Sequence, residues 1–338
     1  MKPLEYNRKN IMSGIPNVRE LENLNFTKPA FDLTIIYMQI LVFVYFSILF
    51  TYELSIFFYI PGVFLIAGRQ GALLQLIHEA SHKLISKNNK LNDFFGEFLT
   101  SLLVGVNFFG YRSVHNQHHT YTATPEESSS DSDKYVIVDF KNPKIYILFL
   151  RDIIGISAIK IFFAYSPDKN KSNKREIKTK IFFLIKLCCV QIVILSLFKF
   201  DILNYILFWL YPAIGPHMFL MRIRGIAEHG LPKKLGVISK NSNEGRYYTR
   251  SFLTQKNSYN FKILTLAEKF LIGSYSVHYH HEHHLNAKIP YYNLKKFHKL
   301  VFEKVLQRVQ PENNAIIYEK GYFSAALSKA YLPKEIIT

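Results

Sequence analysis

The stretch "HYHHEHH", His278 to His284, sets five imidazoles in seven residues of an otherwise apolar chain. Two shorter runs lie upstream, "HEASH" at His78 to His82 and "HNQHH" at His115 to His119. On a helix, positions i, i+3 and i+4 share a face. His78 and His82 are four apart, and His115, His118 and His119 follow the pattern H-x-x-H-H. In the third run a single frame repeats that pattern: His280, His283 and His284. His278 and His281 fall outside it, and on a helix would point roughly 100° or more away. They read either as neighbours that support the ligands or as accidental. His229 closes "RIRGIAEHG", a turn or two beyond an apolar run, much as His78 follows another. The candidate ligands are therefore His78, His82, His115, His118, His119, His229, His280, His283 and His284. One metal ion accepts roughly four to six donors, so nine imidazoles imply two metals.

Ligand type alone leaves Zn, Cu, Fe and Ni open. Structural zinc draws on cysteine or closes at four ligands, and Cys188 and Cys189, the only cysteines, sit together in an apolar run. They suggest no disulfide framework and read as packing or lipid-facing residues. A histidine-rich site with open positions fits oxygen-activating iron better. Glu79, Glu228 and Glu282 each adjoin a candidate ligand and could accept an N–H from its ring. His217 reads as structural, at a depth where it could also face a cavity. His298, in "KKFHKL", reads as a surface residue. "HEASH" is also H-E-x-x-H, a zinc protease signature, but that reading leaves seven positioned histidines without a role.

The 338 residues are 49% apolar, with 29 Phe and 22 Tyr, and a soluble reading must explain several long apolar runs. Phe31 to Thr51 carries one charge and Ile202 to Met221 none. Each approaches the ~20 residues that cross a hydrocarbon core. Leu54 to Gly68, continuing almost to His78, and Ile181 to Phe198 complete four expected spans in two hairpins. No secretory signal peptide is expected, since the first thirty residues are polar and mixed in charge.

The formal charge is +17, but the basic residues flank apolar spans. Membrane orientation therefore explains them better than nucleic acid. "DKNKSNKREIKTK", Asp168 to Lys180, holds six Lys/Arg, the first thirty residues hold five, and the turns inside the hairpins hold one. The positive-inside rule places both termini and the middle segment in the cytoplasm. The lysine run reads as a solvated loop that could also touch anionic lipid. The expected fold is thus an all-α integral membrane protein, with four transmembrane helices in two hairpins and a cytoplasmic helical cap that carries the histidines. Phe98 to Tyr111 is too short to span and reads as buried or re-entrant. Ile145 to Tyr165, broken by charges, suits a helix in the interface plane. "ATPEESSSDSDKY" reads as a polar loop.

At these residues the chain resembles the integral-membrane fatty acid desaturase and hydroxylase superfamily. The match is H-x-x-x-H at His78, then H-x-x-H-H at His115 and again at His280, supported by "RIRGIAEHG" and "HYHHEHHL" over roughly residues 30 to 295. The resemblance implies a non-haem centre of two Fe ions, O2 as co-substrate and an external electron donor of ferredoxin or cytochrome b5 type. It carries over to the eight box histidines position by position and to His229 less securely. Without an H-P-G-G motif the donor is expected to be a separate protein. The expected organisation is an N-terminal cytoplasmic segment (1–30), a membrane desaturase domain (31–295) and a cytoplasmic tail (296–338). The expected activity is insertion of a double bond into an acyl chain drawn from the bilayer. Alternatives are a lipid or carotenoid hydroxylase or ketolase, and a membrane metal-binding or transport protein. Transporters usually place ligands near the membrane midplane, whereas these lie beyond the span ends.

Overall fold

The computed structural model describes residues 12, 15, 17–122, 144–159, 174–229, 249, 251–252, 266–301, 317–318 and 321–327. "ATPEESSSDSDKY" and the first half of "DKNKSNKREIKTK" lie outside the described residues. Among the described residues, secondary structure is helical apart from a two-residue parallel pairing, Ser251–Phe252 (β1) with Ile317–Tyr318 (β2). The chain divides into two compact units. One comprises Asn25–His115 and Tyr146–Arg222; the other comprises Met1–Leu24, Asn116–Ile145 and Ile223–Thr338.

Among the described residues, four helical stretches are long and apolar enough to cross a membrane: Thr27–Glu53, Ile56–Ser81, Ile177–Leu197 and Ile202–His229. They match the four expected spans, each extended at one end or both. The first unit is built on them. Helix α1 (Thr27–Glu53) opens with Pro29 in its first turn, where a missing N–H leaves no bond unmade. Its Leu33, Ile36 and Ile40 form the buried stripe packed on α2 (Tyr59–Ser81). The remaining face of α1 is apolar and largely exposed, as are Phe182, Ile185, Ile192 and Val193 of α5 (Lys174–Leu197), whereas α2 is mostly buried. Exposure of that extent in a chain with a packed core marks a lipid-facing surface. Cys188 and Cys189 lie on it, as free thiols.

Between the second and third spans, α3 (Asn89–Phe98) starts at Asn88, whose side chain accepts N–H bonds from Lys90 and Leu91. A short 3-10 turn, Ser101–Val104, ends at Gly105 with φ +75°, a left-handed conformation that glycine adopts without Cβ strain. The chain then bends by 100° into α4 (Phe108–Tyr121), the geometry of a broken span or re-entrant loop. Lys144–Ile153 forms a further helix with exposed Tyr146, Ile147 and Leu150 and buried Asp152. Arg222 binds that carboxylate through both Nε and Nη2. This amphipathic pattern agrees with an interfacial helix, although residues beyond 159 of that segment lie outside the described residues.

The fourth span is not one regular helix. Ile202–Tyr205 is capped by Asp201, Ile206–Leu210 forms a π-helical turn, and Tyr211–Ile214 breaks at Gly215 before α6 (Pro216–His229). A Cβ at Gly215 would lie 2.3 Å from the Ile153 carbonyl oxygen and 2.9 Å from the Tyr211 ring. The close approach of two backbones at this point requires glycine.

Gly215→Ala should therefore destabilise the detergent-solubilised protein by about 1–3 kcal/mol, since a backbone carbonyl must move. Gly105→Ala meets open space and should carry only the left-handed backbone term, about 1–2 kcal/mol. Thermal melting of both variants checks the ranking.

Candidate metal centre

In the spanning unit, helix α2 ends at the first histidine pair. Its last turn holds His78, and His82 follows as the C-cap residue. Lys83, at φ +62°, turns the chain away. The Ala80 carbonyl at this helix end accepts from Asn92 Nδ2 (2.9 Å) and Arg112 Nη2 (3.0 Å), and Arg112 also binds Asp93 at 2.5 Å. The exit of α2 is thus pinned to α3 and α4, which brings His115 alongside. The rings of His78, His82 and His115 form a near-equilateral triangle, with centroids 4.5 to 4.9 Å apart. His82 Nε2 and His115 Nε2 are 2.9 Å apart. Two nitrogens bound at about 2.0–2.1 Å to one ion, at right angles, would lie roughly 2.9 Å apart. Tyr111 stacks on His115 at 5.3 Å. Glu79 Oε1 and Gln75 Nε2 both lie 3.3 Å from His78 Nδ1, on the side away from Nε2.

The other unit gathers His118, His229, His280 and His284, all buried. One donor atom from each lies within 4.8 Å of the others. His229 Nε2 and His280 Nε2 approach to 2.6 Å. His118 packs edge-on against His229 at 4.8 Å and His284 at 5.1 Å. In the same unit His119 Nε2 meets His283 Nε2 at 3.0 Å. Each H-x-x-H-H run therefore divides its ligands. From α7 (His280–Leu285), His280 and His284 enter the four-histidine cluster and His283 pairs with His119. From α4, His115 joins the triangle and His118 the cluster. All nine candidates are thus placed in one of these groupings.

Two observations fit a metal to these residues. The donors are all imidazoles with no competing thiolate, and His284 is buried with neither ring nitrogen hydrogen-bonded among the described residues. A buried polar atom without a partner costs about 1–3 kcal/mol, and an ion would supply the missing interaction. Burial, reinforced by the neighbouring imidazoles, holds His280 and His284 well below the ordinary histidine pKa. They stay neutral, the form that ligates.

Of the three acids, Glu79 and Glu228 stand behind ligands as the sequence suggests. Glu228 Oε2 lies 3.6 Å from His280 Nδ1, and Arg224 Nε reaches both its oxygens at 3.0 and 2.9 Å. Glu282 differs. Its carboxylate takes His298 Nδ1 at 2.5 Å and the Ser251 hydroxyl, not a ligand ring. Burial works to raise its pKa, but the His298 bond and charge hold it below the usual carboxylate range. His298 is accordingly buried, which corrects its reading as a surface residue. The signal is present in the sequence: Leu294, Phe297, His298 and Val301 form the buried stripe of α8 (Tyr291–Val301), while the flanking lysines face outward. His281 bonds through Nδ1 to Thr249 Oγ1 at 3.2 Å, and burial lowers its pKa to about 4. His278 precedes the helix and packs on Tyr279; burial and then the Lys269 charge lower it to about 3. His217 is buried in α6.

A predominantly helical membrane protein with histidine clusters that could hold metal is the class that the geometry defines. Residues 54–314 match the profile described as Fatty acid desaturase, and the chain belongs to that family. Dihydrorhizobitoxine desaturase of Bradyrhizobium elkanii is 24% identical over 252 residues, covering 71% of this chain and 66% of the relative. The sn-1 oleoyl-lipid 12-desaturase of Picosynechococcus sp. is 22% identical over 236 residues, covering 65% of this chain and 62% of the relative. The match thus covers just under two thirds of each relative's length.

His298→Ala should leave Glu282 buried without its charge partner, a loss on the order of 3–5 kcal/mol. The expected readout is a melting temperature clearly below that of His278→Ala.

Proposed function

We propose that the protein is a membrane-bound fatty acid desaturase that uses two irons and O2 to place a double bond in an acyl chain. The observation that carries this reading is the four-histidine cluster of His118, His229, His280 and His284. Four buried imidazoles meet one ion's needs, and the triangle of His78, His82 and His115 offers donors to a second. When bound, the irons supply the oxidising power that takes two hydrogens from adjacent methylenes. With O2, two electrons and two protons, the products are an alkene and two waters.

The chain's own residues prepare that chemistry. Burial keeps His280 and His284 neutral. Glu79 and Glu228 fix the Nδ1 side of His78 and His280, so that Nε2 is the donor. Apolar span surfaces suit an acyl substrate entering from the bilayer, and the Picosynechococcus relative is named for an oleoyl-lipid substrate. A separate donor of ferredoxin or cytochrome b5 type supplies the electrons. The basic balance of the chain would speed encounter with an acidic one. Lys/Arg placement supports cytoplasmic histidines and termini.

The test is mass spectrometry of host lipids with the wild-type chain, with His118→Ala and without either, a donor being supplied. A new double bond with the wild type, abolished in His118→Ala while the protein stays in the membrane, is expected, with about two irons per chain. A hydroxylated or ketonised product would move the assignment to that branch of the superfamily. Unchanged lipids and pigments despite bound metal would favour binding or transport.

A further inference from the structure

The segment Gly321–Leu327 lies past residue 314, where the family match ends, and nothing in its sequence signals a role. It is nevertheless tied to the metal-ligand cluster. Helix α9 (Tyr322–Leu327) is capped by Glu268, whose two carboxylate oxygens accept the backbone N–H groups of Tyr322 (2.9 Å) and Phe323 (3.1 Å). Gly321 permits this approach: a Cβ there would lie 1.7 Å from Glu268 Oε2. The Tyr322 ring is fully buried against Gly273, where a Cβ would lie 2.9 Å from Tyr322 Cε2. Two glycines and a carboxylate thus seat this one side chain. Its hydroxyl donates to Glu228 Oε1 at 3.4 Å, and Glu228 Oε2 lies 3.6 Å from Nδ1 of His280.

We infer that Tyr322 is a positioning residue for the four-histidine site, acting through Glu228 on His280. The inference rests on the reading of that site as an iron site. Arg224 holds Glu228 from one side through both oxygens, and Tyr322 restrains one of the same oxygens from a different segment. A planar carboxylate bound to Arg224 alone could swing about that contact. The added donor fixes the plane in which Glu228 faces His280. Losing the hydroxyl frees the carboxylate and lets the imidazole turn, which weakens one iron and leaves the other as it was.

Tyr322→Phe keeps the ring in its seat and removes the hydroxyl alone. Gly321→Ala keeps the tyrosine and displaces the segment from Glu268. Both are made in the full chain, loaded with iron in detergent, and read by iron release to a chelator and by Mössbauer spectroscopy. Outer partners of metal ligands typically contribute 10–100-fold to metal affinity. At one bond further out, each variant should release one of the two irons on the order of tenfold faster. One quadrupole doublet should change and the other stay fixed. Identical release and spectra in Tyr322→Phe and wild type would overturn the inference. So would equal loss of both irons together with a lower melting temperature, which would make Tyr322 a packing residue only. A wild-type chain that retains no iron would instead fail the underlying metal reading, which keeps the two failures apart.

Discussion

Charging an imidazole buried among other imidazoles would cost both desolvation and repulsion from its neighbours, and this constraint governs the histidine-rich unit. His280 and His284 are therefore held neutral. A neutral ring offers one lone pair, and in a dry interior a lone pair without a donor is itself a cost. In His284 neither the lone pair nor the N–H has a partner among the described residues. The arrangement is unfavourable for folding and favourable for coordination. Four imidazoles gathered in one place suit a metal ion, whose binding would be coupled to folding.

The carboxylates divide into two kinds under the same constraint. Glu79 and Glu228 face the Nδ1 atoms of His78 and His280, and so aim Nε2 inward. Glu282 sits between two ligands in sequence, but on a helix its side chain leaves on another face. There it anchors the ligand-bearing helix α7 to α8 through His298 and to β1 through Ser251. Ser251 Oγ also accepts the His281 backbone N–H at 3.0 Å. One acid orients a ring and the other holds the scaffold that carries rings.

The spans and the nine candidate ligands are legible in the sequence because both are local signals. Apolar run length reports a span, and i, i+3, i+4 spacing reports a helix face. What cannot be read locally depends on tertiary contact. The break at Gly215 answers to the Ile153 carbonyl of a helix far earlier in the chain. His298 is hidden by its neighbouring lysines, although its place in the Leu294–Val301 stripe marks it as inward-facing. Ser251 and Tyr322 have no motif. Glu228 and Glu282 look alike in sequence, each one residue from a ligand, and only their partners distinguish them.

Helix length connects the spans to the ligands. The stretch Ile56–Ser81 has 26 residues, about 39 Å at 1.5 Å per residue. A hydrocarbon core needs about 30 Å, so roughly the last six residues overshoot it. His78 falls within that surplus. In the fourth stretch, Ile202–His229, the ligand is the last of 28 residues, and the surplus is larger by a turn's fraction before the break is counted. Each histidine thus falls near the end of its run, beyond the roughly 20 residues that a hydrocarbon core needs. A deletion of one turn within either run would draw the imidazole back towards hydrocarbon, about 5 Å from its partners along the helix axis. The apolar runs that read merely as anchors would then also be rulers that set the height of the candidate ligands.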